Sequence, residues 1–166
     1  MSIKVGDTLP DGELAESTQF GEACPLGPET VKVSEAVAGK KIVIFAVPGA
    51  YTPTCSAKHV PGYRDQIAAF KDKGVDEIWC VATNDGFVMA AWGKDQNAIG
   101  KIRFLGDGSA TWTKALGLEL DLTARGMGMR SQRYSMLVEN GVVRQLNVEE
   151  GGKFEVSDAD TMLEQL

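Results

Sequence analysis

The hydrophobic positions of the chain change their spacing along its length, and each spacing predicts a different element. Apolar runs at 42–47 and 78–82 have the length and residue types of buried strands, and 102–105 is a third candidate. Between the first two, apolar residues recur every three or four positions over 54–74, which predicts a helix. Pro61 lies inside that segment and predicts a bend or an interruption there. A strand, a helix and a second strand imply a parallel pair joined by a crossover.

The pattern changes in the last third of the chain. Residues 133–138 and 142–148 resemble two strands and flank Asn140-Gly141, which is a strong short-range signal for a hairpin. A parallel strand-helix-strand unit followed by an antiparallel hairpin describes a central mixed β-sheet flanked by helices. The sequence therefore predicts an α/β protein with a thioredoxin-like fold, formed by residues 1–166 as a single domain.

Other signals mark the remaining elements. The last helix is predicted to begin at Ser157, which together with Asp160 resembles a capping box. Further helices are predicted after a cap at 83–85 and at 111–116, and short strands and loops at 1–40.

Charge and hydropathy exclude several classes of function. The 17 Lys and Arg residues against 23 Asp and Glu residues give a net charge of -6, the wrong sign for binding nucleic acid. No apolar run approaches the roughly 18 to 20 residues of a membrane helix, so we expect no membrane partner. The amino terminus has no signal-peptide pattern, so a cytoplasmic location is expected.

Three cysteines and one histidine limit the possible chemistry. The chain has three cysteines, Cys24, Cys55 and Cys80. They are too few for a disulfide framework, and an odd number cannot all be paired. A zinc site would need all three together with His59, and no pair has the usual spacing, so we expect no metal. We expect His59 to pack or to form hydrogen bonds. The glycines form no phosphate loop, so no nucleotide, flavin or haem cofactor is predicted.

Cys55 is the most informative of these residues. It is predicted in the first turn of a helix that follows a core strand, where the positive end of the helix dipole favours a thiolate, the nucleophilic form of cysteine. Thr52 adds a hydroxyl, and Pro48 and Pro53 restrict the backbone of the loop. A buried cysteine that only packs at the junction is the alternative on position alone. Thr52 also stands where the first cysteine of a C-x-x-C motif would be, which argues against a dithiol exchanger.

The residues around Cys55 carry a resemblance to a known family. The string P-G-A-Y-T-P-T-C-S is similar to the active-site motif of peroxiredoxins. The continuation S-A-K-H-V-P-G-Y resembles the subgroup called type II in plants and peroxiredoxin five in animals. Segments before and after this motif resemble the same subgroup in the same order, so the resemblance covers nearly the whole chain.

The resemblance implies a thiol-dependent peroxidase that reduces hydrogen peroxide and organic hydroperoxides through a cysteine sulfenic acid. By position, Cys55 would be the nucleophile, Thr52 would orient the peroxide and Pro48 would shield the pocket. Arg133 matches the active-site arginine of the family, and its guanidinium would stabilise the thiolate and bind peroxide oxygens. The sequence alone does not distinguish Arg133 from Arg125 or Arg130.

The resemblance leaves the reductant open. In plant members of the subgroup a cysteine at the place of Cys80 is proposed to resolve the sulfenate, whereas the apolar neighbours of Cys80 favour inert burial. Animal members carry a resolving cysteine late in the chain, where this sequence has residues 152–157 without cysteine. We therefore expect a one-cysteine cycle regenerated by glutathione or glutaredoxin, with thioredoxin as the alternative reductant. Cys24 is expected to be a bystander.

Two alternative functions would use the same cysteine. A redox sensor or holdase would react with peroxide once and stop, and a glutathione-linked thiol transferase would ignore peroxide. A homodimer is also expected, since Tyr51, Phe87, Met127 and Met129 would form an apolar patch if they were exposed together. A monomeric mass in solution would contradict the dimer.

Overall fold

A computed structural model describes residues 2–166 and contains one large sheet and one small one. The strands are β1 (Glu13–Glu16), β2 (Glu29–Lys32), β3 (Lys41–Ala46), β4 (Glu77–Ala82), β5 (Arg103–Gly106), β6 (Glu119–Leu122), β7 (Gly128–Ser131), β8 (Tyr134–Glu139) and β9 (Val142–Val148). The helices are α1 (Val33–Ala36), α2 (Val60–Arg64), α3 (Ile67–Asp72), α4 (Gly86–Asp95), α5 (Thr111–Leu116) and α6 (Ala159–Glu164). A π-helical turn spans Cys55–His59 and a 3₁₀ turn spans Thr123–Arg125.

The large sheet has the order β2-β1-β5-β4-β3-β8-β9. Its centre, β3 with β4 and β4 with β5, is parallel, and the flanking pairs are antiparallel. The prediction of a mixed sheet flanked by helices is therefore confirmed. The 140–141 turn of the hairpin is also present, with Asn140 and Gly141 both at positive φ, as a tight turn of this kind requires.

Hydrophobic side chains fill both faces of this sheet. Along β3, Val43 and Phe45 belong to one buried cluster, and Ile42 and Ile44 belong to the other. Because side chains alternate across a strand, the two clusters lie on opposite faces. Burial on both faces explains why the central strands are continuous apolar runs rather than alternating ones.

The helical segment predicted at 54–74 is divided differently from the expectation. The backbone changes from π-helical to α-helical at Val60, and the helix continues through Pro61. Pro61 lies in the first positions of α2, where a missing N–H costs little. The interruption instead falls at 65–66, between α2 and α3.

The predicted start of the last helix was also wrong. The N-cap is Asp158, whose carboxylate accepts a hydrogen bond from the Thr161 N–H at 3.1 Å. The Ser157 hydroxyl is turned away from the helix and donates to the Glu149 carboxylate at 2.6 Å. The predicted cap at Asp85 is confirmed, since its carboxylate accepts from the Val88 N–H at 2.8 Å. No helix of the described residues is long and apolar enough to cross a bilayer.

Gly106 lets the end of β5 approach the loop that follows β4. A Cβ at this position would lie 2.6 Å from the Asn84 carbonyl oxygen and 2.8 Å from the Asp85 carbonyl carbon. These are backbone atoms, which cannot rotate away. The close approach matters because the same loop contacts the segment that leads to Cys55.

We predict that Gly106→Ala lowers the free energy of unfolding by about 1–3 kcal/mol, because the added methyl overpacks this junction. Gly108→Ala is the matched control, since its Cβ would come no closer than 3.5 Å to any neighbour. Denaturant unfolding of both variants checks the prediction. Equal stability of the two variants would contradict it.

Candidate active site

Two chain segments far apart in sequence meet at one edge of the large sheet. Ala46, the last residue of β3, pairs with Tyr134, the first residue of the antiparallel β8. The residue before β8 is Arg133, so it lies beside the point where the chain leaves β3 for Cys55. Strand register therefore brings together a thiol and a guanidinium that are 78 positions apart.

Cys55 opens the π-helical turn and is fully buried. The wide turn is closed by the Val60 N–H, which donates to the Cys55 carbonyl five residues earlier. The Cys55 side chain lies in the apolar cluster that includes Phe45 and Tyr63. π-helical turns within helices are frequent at functional sites.

Thr52 supplies the first polar contact to the sulfur. Its Oγ1 lies 2.8 Å from Cys55 Sγ and 2.8 Å from the Gly49 carbonyl oxygen. A hydroxyl has one proton, so Thr52 donates to one of these two acceptors at a time. A thiolate attracts that proton more strongly than a thiol does.

Arg133 supplies the second polar contact. Its Nη2 donates to Cys55 Sγ at 3.1 Å, and its Nη1 donates to His59 Nδ1 at 2.9 Å. A guanidinium only donates, so Nδ1 of His59 must be the unprotonated ring nitrogen. The proton of the neutral imidazole is then on Nε2.

The surroundings of His59 agree with this tautomer. Nε2 lies 3.0 Å from the Ser157 carbonyl oxygen, to which it donates. The same oxygen accepts a hydrogen bond from the Tyr63 hydroxyl at 2.9 Å. Burial, and next the charge of Arg133, lower the pKa of His59 to about 3, so the ring is neutral at neutral pH. The neutral His59 ring therefore accepts a hydrogen bond from Arg133 and places no second positive charge beside the guanidinium.

The structure separates the three arginines that the sequence left open. Arg130 donates to the Pro48 carbonyl at 3.2 Å through Nη1 and to the Met127 carbonyl at 2.8 Å through Nε. Arg125 is exposed in the 3₁₀ turn. Arg133 therefore reaches the sulfur, while Arg130 fixes the loop beside it.

Side chains from α4 and its preceding loop also hold the Cys55 segment. Asn84 Oδ1 accepts from the Ala50 N–H at 2.9 Å, and the Tyr51 hydroxyl donates to Asp95 at 2.6 Å. Tyr51 has a φ of 63°, an unusual conformation for a residue with a side chain. These contacts were not predicted, because no local sequence signal joins residues 50–51 to α4.

The other two cysteines occupy very different environments. Cys80 is fully buried in β4, where it pairs with Phe45 of β3 and Phe104 of β5. Burial, and next the proximity of Cys55, raise the pKa of the Cys80 thiol well above its ordinary value. Cys24 is exposed in the loop between β1 and β2. Among residues 2–166, no three His, Cys, Asp or Glu side chains are grouped as metal ligands would be.

Comparison with known proteins identifies the class. The profile of the Redoxin family matches residues 4–163. Peroxiredoxin-2C of Oryza sativa subsp. japonica is 49% identical over 164 residues, which cover 99% of this chain and 98% of the rice protein. The reduced Prx3 of Vibrio vulnificus, solved in complex with hydrogen peroxide, is 51% identical with a TM-score of 0.89, and the alignment covers 98% of both chains.

A crystal structure from Burkholderia cenocepacia is similar as well, with 55% identity and a TM-score of 0.94 over 100% of this chain and 99% of that one. That protein has been named a thioredoxin reductase, a name that the full-length peroxiredoxin relatives do not support for this chain. The chain belongs to the Redoxin family, among the type II peroxiredoxins. It is accordingly a thiol-dependent peroxidase.

We predict that His59 makes the stability of the protein fall as the solution becomes acidic. The imidazole of an unfolded chain has a pKa of about 6.5, whereas that of folded His59 is about 3. Between pH 7 and pH 5 the unfolded state takes up a proton that the folded state does not, which lowers the free energy of unfolding by about 2 kcal/mol.

Denaturant unfolding at pH 7, 6 and 5 measures this change. His59 is the only histidine, and carboxyl groups ordinarily titrate at about pH 4, so His59 dominates the expected change in this window. His59→Gln should give a nearly flat profile over the same range. The same slope in both proteins would contradict the prediction.

Proposed function

We propose that Cys55 is the nucleophile that reduces hydrogen peroxide and organic hydroperoxides, with Thr52 and Arg133 as its catalytic partners. The observation that carries this proposal is the convergence of Thr52 Oγ1 and Arg133 Nη2 on one sulfur. The hydrogen peroxide complex of the Vibrio vulnificus relative supports the substrate class.

The two donors fit the charges of the reaction. The Cys55 thiolate attacks one peroxide oxygen, so an S–O bond forms while the O–O bond breaks. The departing oxygen carries negative charge, takes up a proton and leaves as water or an alcohol. Donors already fixed at Sγ can follow that charge onto the oxygens with little rearrangement, which is the condition for electrostatic stabilisation of a transition state. The loop carbonyl of Pro48 is held by Arg130, consistent with a shielding role for Pro48.

Arginine and threonine variants test this assignment. We expect Cys55→Ser to abolish peroxide consumption and Arg133→Ala to lower the rate constant with hydrogen peroxide about 10²- to 10³-fold, because a donor to developing charge is lost. Thr52→Val should lower it about 10- to 100-fold, since a hydrogen bond to a charged group is removed. Stopped-flow kinetics measures these constants.

Arg125→Ala is the control, because Arg125 is exposed in the 3₁₀ turn. A sulfenate trap identified by mass at Cys55 would complete the assignment. Full activity of Cys55→Ser would overturn it. Oxidation that stops after one equivalent with reductants present would indicate a sensor, and indifference to peroxide would indicate a thiol transferase.

We further propose that glutathione or glutaredoxin regenerates Cys55 in a one-cysteine cycle. A thiol attacks the sulfenic sulfur and releases water, which leaves a mixed disulfide; a second thiol then frees Cys55 and carries away the disulfide. The full burial of Cys80 in β4 supports this cycle, because burial raises the pKa of its thiol and keeps it protonated, and a protonated thiol is a poor nucleophile.

We predict that Cys80→Ala keeps turnover with glutathione and glutaredoxin within about twofold of the parent rate, because in this cycle Cys80 performs no chemistry. Cys24→Ala is the matched control at an exposed cysteine. Intact mass after one equivalent of peroxide is the second readout. Loss of two hydrogens in the parent protein, absent from Cys80→Ala, would instead establish Cys80 as the resolving cysteine and favour thioredoxin.

Assembly and location stay proposals. We propose a homodimer because Tyr51 and Phe87 are exposed and Met127 and Met129 are half-buried, which leaves apolar area of these side chains available to a second copy. A cytoplasmic location remains a prediction from the sequence.

A further inference from the structure

The loop between β9 and α6 is held closed by a single carboxylate. Glu149 is almost fully buried and accepts hydrogen bonds from the N–H groups of Glu155, Val156 and Ser157 at 2.8 to 3.0 Å. It also accepts from the Ser157 hydroxyl at 2.6 Å. Four donors therefore converge on one side chain, which ties one end of the loop back to the other.

The closed loop makes two contacts with the groups behind Cys55. The Ser157 carbonyl accepts the hydrogen bond from His59 Nε2. The Phe154 ring lies 4.9 Å from the His59 ring and 5.9 Å from the Arg133 guanidinium carbon. The loop thus supports His59 from behind and covers Arg133, while the side-chain hydrogen bonds to the sulfur come from Thr52 and Arg133.

Glu149 is also joined directly to the backbone of Arg133. The Glu149 N–H donates to the Arg133 carbonyl oxygen at 2.9 Å, which extends the β8–β9 pairing by one step. The carboxylate of Glu149 therefore fixes the loop relative to the same residue whose side chain reaches Cys55.

We propose that Glu149 is a positioning residue for peroxide reduction, acting through the 150–157 loop, Ser157 and His59 to hold the Arg133 guanidinium against Cys55. The proposal rests on the assignment of Cys55 and Arg133 given above. It goes further because it gives a role in the reaction to a residue that touches neither the sulfur nor the guanidinium.

A side chain that acts only through Arg133 has a recognisable kinetic signature. Its removal should slow the reaction when Arg133 is present and should change nothing further when Arg133 is absent, because interacting residues are non-additive. A residue that merely stabilises the fold would lower the rate in both backgrounds. A double-mutant cycle therefore distinguishes positioning from general support.

The cycle consists of the parent protein, Glu149→Gln, Arg133→Ala and the double variant. The measured quantity is the second-order rate constant for oxidation by hydrogen peroxide, determined by stopped flow. We expect Glu149→Gln to lower it on the order of tenfold, since misplacing a group by about 1 Å can cost up to about 10²-fold. In the Arg133→Ala background the same change should alter the constant by less than about twofold.

Glu150→Gln is the matched control, because Glu150 is the neighbouring residue and is exposed. It should leave the constant within about twofold of the parent. Hydrogen exchange should show faster exchange of the 155–157 amides in Glu149→Gln and unchanged protection of β3, which separates loop opening from global unfolding.

An equal loss in both backgrounds, or no loss with Arg133 present, would overturn the proposal. If Glu149→Gln does not fold, Glu149→Asp takes its place in the cycle, with a smaller loss that must again vanish in Arg133→Ala. Inactivity of the parent protein towards peroxide would contradict the proposed function itself. If the parent protein is active but the effects of the two substitutions are additive, only the role of Glu149 is contradicted.

Discussion

The paired hydrogen bonds of the Arg133 guanidinium are the interaction on which the site depends. One nitrogen donates to Cys55 and the other to His59, so the planar fork cannot rotate without breaking one of the two. This arrangement works only with a neutral imidazole whose Nδ1 accepts. Burial first, and next the positive charge of Arg133, provide that condition, because both lower the pKa of His59. The buried, neutral His59 thereby fixes the orientation of the charged Arg133 side chain.

A chain of hydrogen-bonded polar groups extends from His59 away from the sulfur. His59 donates to Ser157, Ser157 donates to Glu149, and Glu149 in turn accepts from the backbone of the same loop. Burial acts to raise the pKa of Glu149, but the hydrogen bonds from Ser157 and from the 155–157 backbone outweigh it, and the net pKa is lowered. The carboxylate therefore remains an acceptor for all of its donors at neutral pH. Buried networks of this kind stabilise one geometry only when every member is paired.

The sequence predicted those parts of the molecule that depend on local pattern. The strands at 42–47 and 78–82, the hairpin at Asn140-Gly141 and the cap at Asp85 follow from periodicity and turn chemistry, and all are present. The sequence also predicted that Cys55 and Thr52 lie together. They are only three positions apart, where a loop enters a helical turn, so they are close whatever the rest of the chain does. Arg133 required the resemblance to peroxiredoxins, since only the register of β3 with β8 distinguishes it from Arg130.

Other parts could not be predicted, because they depend on long-range contacts. The small hairpin of β6 and β7 has weakly patterned, half-exposed strands and no strong turn signal. Ser157 was expected to cap α6 because it precedes an acidic residue at the right spacing. Its hydroxyl instead bonds to Glu149, eight residues earlier, and Asp158 takes the cap. Similarly, nothing local joins Tyr51 to Asp95.

The separation of Cys55 from Arg133 by 78 residues has a consequence for biosynthesis. A ribosome adds residues in order, so the cysteine-bearing half of the protein is made well before β8 can pair with β3. Until that pairing occurs, the thiol lacks its guanidinium, and His59 lacks the Ser157 carbonyl that arrives later still. The nascent chain therefore carries Cys55 and Thr52 without the guanidinium of Arg133. On the proposed roles of Cys55 and Arg133, peroxide reduction requires the last strands and the loop between β9 and α6 to be in place.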